Sequence, residues 1–84
     1  MPSGDRFRKQ IAGKAVDISA IQVAVLLEGT KTVKYLKDKY GSRVTQTIKA
    51  LENGEYLVSD GRKVSRTDSG TLVAKAAKQT GWTI

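Results

Sequence analysis

The stretch from Ser42 to Gly70, SRVTQTIKALENGEYLVSDGRKVSRTDSG, decides how the rest of this chain is read. Within SRVTQTIKALEN, Val44, Ile48 and Leu51 recur four and three apart, the spacing of one buried helical stripe. Asn53-Gly54 ends that periodicity, and Glu55–Ser59 has the β-branched and aromatic content of a strand. Asp60-Gly61 is a favoured two-residue hairpin pair, because both central positions of a type I′ turn need positive φ. Arg62–Arg66 is then the returning strand, with Leu57 and Val64 facing the core. Thr67 or Asp68 offers a capping oxygen to a last helix after Ser69-Gly70. A two-stranded hairpin is not stable alone, so this one must lie against helices. Its tip and return strand carry Arg62, Lys63 and Arg66.

Upstream, Ser42 is a natural N-cap for the helix that follows it. Gly41 ends the preceding helix, TVKYLKDKYG, which Thr30 or Thr32 opens. There Val33, Leu36 and Tyr40 form the stripe, with Lys31, Lys34, Lys37, Asp38 and Lys39 on the remainder and Tyr35 nearly opposite. So short a link around Gly41 makes the two helices cross steeply. On the second of them, 100° steps put Ser42, Arg43, Gln46, Lys49, Ala50 and Asn53 on the outer side. Further back, ISAIQVAVLLEG, capped by Asp17 or Ser19, is apolar nearly all round, which predicts a buried central helix.

Residues 1–16 read as a basic N-terminal arm or short helix, and residues 17–84 as the domain proper. In DRFRKQIAGK, Phe7 and Ile11 lie four apart among Arg6, Arg8, Lys9 and Lys14. That segment either touches phosphates or packs with its charges solvated, and Met1–Gly4 is a loose leader. At the other end Leu72, Val73 and Ala76 can pack, while Ala74, Ala76 and Ala77 make a small-residue surface for the core or a second copy. Trp82 and Ile84 follow in a tail, with Trp82 expected to pack onto the domain or into a dimer contact.

Composition narrows the function. The chain has 84 residues with no Cys and no His, so disulfides, thiolate metal sites and His-based catalysis are excluded and no enzyme or cofactor is expected. Fifteen Lys and Arg face eight Asp and Glu, a net charge of +7, which attracts polyanions. Val23–Leu27 is too short to span a membrane, and the N-terminus lacks a secretory core region. A cytoplasmic protein of a prokaryotic cell, or of a virus in one, fits these features.

The helix TVKYLKDKYG, then SRVTQTIKALENGEYLV, the hairpin SDGRKV and the closing RTDSG together resemble the winged helix-turn-helix domains of MarR-like prokaryotic transcription regulators. The resemblance covers roughly residues 17–78. It implies an α+β fold, mainly α, with a three-helix core, a two-stranded wing and a C-terminal helix begun by Thr67-x-x-Gly70. It also implies that Ser42, Arg43, Gln46, Thr47 and Lys49 belong to a recognition helix in the major groove, and that residues 60–63 contact backbone or minor groove. Arg66 stands where the family is often aliphatic. Either its stem lies along the core with the charge reaching water, or the strand is shifted by one residue.

The expected function is therefore sequence-specific binding of double-stranded DNA by a small transcription regulator. Helix 42–53 would read the major groove and wing 59–66 the backbone or minor groove. Arg reads guanine, Gln reads adenine, and a small Ala admits a thymine methyl. The DNA-binding residues are Lys31, Lys34, Ser42, Arg43, Thr45, Gln46, Thr47, Lys49, Arg62 and Lys63. A domain this small covers a half-site, so a homodimer is expected through the N-terminal segment, the last helix or the Trp82 tail. With no ligand-binding extension, no small-molecule ligand is expected. Two rival readings share the fold: a winged-helix protein-protein interaction module, such as a phage protein blocking a host complex, and a non-specific architectural DNA-binding protein.

Overall fold

The apolar run Val23–Leu27 lies at the centre of the molecule, every residue of it buried. The computed structural model describes residues 6–82. The leader expected at Met1–Gly4, and Ile84, fall outside the described residues. In chain order the elements are β1 (Arg6–Ile11), β2 (Lys14–Ser19), α1 (Ala20–Glu28), β3 (Lys31–Thr32), α2 (Val33–Tyr40), α3 (Val44–Asn53), β4 (Leu57–Ser59), β5 (Lys63–Arg66) and α4 (Asp68–Gln79). This is an α+β protein with four helices and two small antiparallel sheets.

Helix α1 starts at Ser19 because its hydroxyl accepts the Gln22 N–H while the Gln22 side chain accepts the Ser19 N–H. That reciprocal box satisfies two donors a helix start would otherwise leave open. Around α1 pack Leu36 of α2, the stripe Val44, Ile48 and Leu51 of α3, Leu57 and Val64 of the β4–β5 hairpin, and Val73, Ala74 and Ala77 of α4. The stripes of α2 and α3 and the two inward strand residues behave as their spacing predicts. Ala74 and Ala77 cover the domain's own core, but Leu72, expected to pack, is 46% exposed.

Residues 6–19 form a hairpin, not an arm or a short helix. Phe7 pairs with Ile18, Lys9 with Val16 and Ile11 with Lys14 on one face, and β2 runs without a break across position 16. Phe7, Val16 and Ile18 are buried, so the hairpin belongs to the same core as the helices. Gly13 turns this hairpin together with Ala12, whose φ is also positive at 53°. Trp82 packs back on the domain edge-on to Phe7, with ring centroids 6.3 Å apart and an interplanar angle of 78°.

The β4–β5 hairpin differs from expectation in three respects. First, Lys31-Thr32 adds a third strand, giving the sheet order β3-β5-β4. Second, Ser59 pairs with Val64, and Asp60 N–H donates to the Lys63 carbonyl, so the central turn pair is Gly61-Arg62 and not Asp60-Gly61. Only Gly61 of the tip has positive φ, 97°, as a turn with glycine in its first central position requires. Third, Arg66 is tied to the end of α1 within this moved register. It lies half-buried beside Leu57, its partner, and its Nη1 donates at 3.3 Å to the Leu26 carbonyl, the same oxygen that accepts the Gly29 N–H at the end of α1.

Candidate nucleic-acid interface

Helix α3 turns its apolar stripe toward α1 and leaves Ser42, Arg43, Thr45, Gln46, Lys49, Ala50 and Asn53 exposed along its entry and outer side. Thr47 is half-buried at the margin of the stripe and does not belong to that outer face. Ser42 does not cap the helix as expected. The chain begins to wind one residue later, with Arg43 at the cap in helical conformation and no side-chain cap bond. The Val44 and Thr45 N–H groups bond the carbonyls of Gly41 and Ser42, and the Thr45 hydroxyl also donates to Ser42 at 2.9 Å. Those bonds occupy the donors that a Ser42 hydroxyl would have captured.

The second cluster forms where the β4–β5 tip meets the start of α2. Thr32 pairs with Lys63 and caps α2 through the Tyr35 N–H, and the next residue, Val33, donates its N–H to the Arg62 carbonyl at 2.8 Å. Lys34 and Arg62 consequently line one open groove with Thr32, Val33 and Gly61. Asp60 shapes the tip from within. Its carboxylate accepts the N–H groups of Lys63 at 2.8 Å and Arg62 at 3.0 Å, and these bonds hold its pKa below the ordinary carboxylate value. The negative charge of the tip is thus engaged in the turn, while Arg62 and Lys63 point their cations to water.

Helix α2 links the two clusters, with the hairpin tip at its first residue and the α3 entry just beyond Gly41 at its last. Its eight residues span about 12 Å. Lys31 is half-buried in β3 and lies over the Tyr35 ring, 5.0 Å from its centroid. Lys39, in contrast, is held by Glu28. The Glu28 carboxylate, only 4% exposed, takes Lys39 Nζ and the Tyr40 hydroxyl on one oxygen, each at 2.6 Å. Burial alone would raise the Glu28 pKa, but the two hydrogen bonds prevail and lower it. Burial, reinforced by the bond to Glu28, pushes the Tyr40 hydroxyl up to about 12. This knot joins the end of α1 to the end of α2 and so fixes the angle at which α3 is presented.

Of the predicted cations, Lys34, Arg43, Lys49, Arg62 and Lys63 are all exposed, and none forms an ion pair among the described residues. Lys14 is diverted to structure, donating to the Gly54 carbonyl at 3.0 Å beneath the Tyr56 ring. Arg6 and Arg8 share Asp17, whose pKa the Arg6 hydrogen bond lowers. The β3 strand that anchors the tip was not anticipated. At two residues, Lys31-Thr32, it gives no alternation to detect. Among the described residues no cluster of carboxylates is arranged to hold a metal ion, and no helix is long and apolar enough to cross a membrane. No family model, no curated protein and no solved structure matches the chain.

Proposed function

We propose that this chain is a winged helix-turn-helix protein that binds duplex DNA sequence-specifically and acts as a transcription regulator. The order α1-β3-α2-α3-β4-β5-α4, with sheet order β3-β5-β4, supports that fold assignment. The observation that carries the functional reading is the outer face of α3. It presents Arg43, Gln46 and Lys49 to solvent around Ala50, with no larger apolar side chain among them. Arg43 and Gln46 supply base choice, and each good bidentate contact discriminates by about 1–3 kcal/mol. Lys34, Arg62 and Lys63 take the phosphates, and two copies bind a near-palindrome.

A protein-interaction module would need an apolar patch on this surface. The exposed large apolar side chains, Ile21, Tyr35, Val58 and Leu72, lie on elements other than α3. The deciding experiment is duplex selection followed by binding against random competitor, for wild type, Arg43→Ala and Lys63→Ala. Arg43→Ala should lose sequence preference while keeping most of its general affinity. Lys63→Ala should weaken all duplexes alike. Absence of duplex binding at low salt would sink the reading, and equal affinity for all sequences would favour an architectural role.

A further inference from the structure

The outward pole of α4 should be polar throughout, and at its centre it is not. Successive 100° steps put the buried Val73, Ala74 and Ala77 on one side and Asp68, Leu72, Lys75 and Gln79 on the other. Leu72 is therefore an exposed leucine aimed at water, with an acid one turn before it and a base one turn after. Leu72 also forms one lip of a cleft of about 110 Å³ between the β1–β2 tip and α4, whose lining is mainly apolar (Ile11, Val16, Tyr56, Val73) with Lys14 and Ser69 at its polar positions. The face thus holds an exposed leucine at the edge of a shallow cleft.

We propose that this face is the contact between two copies of the chain, made by antiparallel α4 helices related by a two-fold axis at Leu72. Charge complementarity selects a second copy as the occupant. Along the helix axis Asp68 lies ~6 Å before Leu72 and Lys75 ~4.5 Å after it. Reversing one helix about Leu72 brings Lys75 of the second copy to within ~1.5 Å of the height of Asp68, and the pair occurs twice. A parallel arrangement would set Asp68 against Asp68 and Lys75 against Lys75. The two Leu72 side chains meet at the axis, so the apolar contact supplies affinity and the paired charges set direction. Trp82 is buried against Phe7, and Ala74 and Ala77 face the core, so neither the tail nor the small-residue side of α4 is open to a second copy. The inference rests on the homodimer in the function proposed above and not on DNA binding.

Sedimentation without DNA tests it, using wild type, Leu72→Glu, Asp68→Lys, Lys75→Glu and the double variant Asp68→Lys/Lys75→Glu. Wild type should dimerise. Leu72→Glu, which leaves the core untouched, should keep a native circular dichroism spectrum and weaken association at least ~100-fold, since the loss counts twice. Each single charge reversal should weaken the dimer, and the double reversal should restore it. Asp68→Lys also opposes the α4 dipole, a cost that the double variant retains, so recovery there reports the interface and not the helix. A wild type monomeric up to ~1 mM, a dimer indifferent to Leu72→Glu, or no recovery in the double variant would each overturn the proposal. A dimer that binds no duplex would leave it standing while removing the functional reading.

Discussion

At Gly70 the first turn of α4 passes so close to Tyr56 that an added Cβ would collide with the Tyr56 carbonyl oxygen. That oxygen also accepts the Thr67 N–H at 3.1 Å, so the backbone cannot retreat without breaking the start of the helix. Thr67 and Gly70 are therefore one device: the hydroxyl takes the Gly70 N–H, and the missing side chain lets the strand approach. Gly70→Ala should lower unfolding free energy by ~3 kcal/mol or more in urea melts. Gly61→Ala, at positive φ with open space around it, should cost only about 1–2 kcal/mol. A Gly70→Ala as mild as Gly61→Ala would mean the approach is not tight. Glu28 gives a second residue-scale test. Its folded pKa lies below the ordinary 4.5, so its contribution is present above pH 4.5 and is lost as pH falls through the folded value. Tyr40 runs the other way, contributing fully below pH 10.0 and losing that contribution as pH rises toward about 12. Glu28→Gln should flatten the acid limb of a stability-versus-pH profile, and an unchanged limb would dismiss the knot as a stabilising element.

Among the elements, the β1–β2 hairpin shows where reading the chain alone falls short. Phe7 and Ile11 lie four apart, a spacing that suits one helical face and one strand face equally, and Lys9 between them hides the period of two. Ala12 gives no turn signal, because alanine seldom adopts the positive φ it has here. Lys14 finds Gly54, and Arg66 finds Leu26, each across 40 positions of sequence, and no local pattern announces such partners. By contrast α1, α2 and α3, the inward positions of Leu57 and Val64 and a cap at Thr67 or Asp68 were legible, because each depends on neighbours within one or two turns. The same holds for the candidate interface. Exposure of Arg43, Gln46 and Lys49 follows from helical geometry, whereas the Val33–Arg62 bond that anchors the tip depends on a strand too short to read. The hairpin's place in the core leads to a prediction. Phe7→Ala or Trp82→Ala should each cost about 3–5 kcal/mol, though neither residue lies in a helix. Because their rings touch, the double mutant should be less destabilised than the sum, by about 0.5–1.5 kcal/mol. Strict additivity in chemical denaturation would show that the hairpin and the tail act independently.

For the molecule as a whole, net charge is less informative than where the charge is left free. Of fifteen Lys and Arg in the chain, Arg6, Arg8 and Lys39 are in ion pairs, and Lys14 and Arg66 donate to the carbonyls of Gly54 and Leu26. Those five lie in β1, β2, α2 and β5. Lys34, Arg43, Lys49, Arg62 and Lys63, on the start of α2, on α3 and at the hairpin tip, are exposed with no ion pair among the described residues, and in the proposed function they take the phosphates. This division predicts how binding responds to salt. If a protomer neutralises about six phosphates, duplex affinity should fall by at least ~10³ between 50 and 200 mM salt. Removing a free cation, as in Lys34→Ala or Lys63→Ala, should reduce the slope of log affinity against log salt by about one. Removing an engaged cation, as in Arg8→Ala or Lys39→Ala, should leave that slope unchanged while affecting the fold. Equal slope changes in both sets, measured by duplex titration at four salt concentrations, would mean that the charge attracts DNA diffusely and that no face is specialised for it.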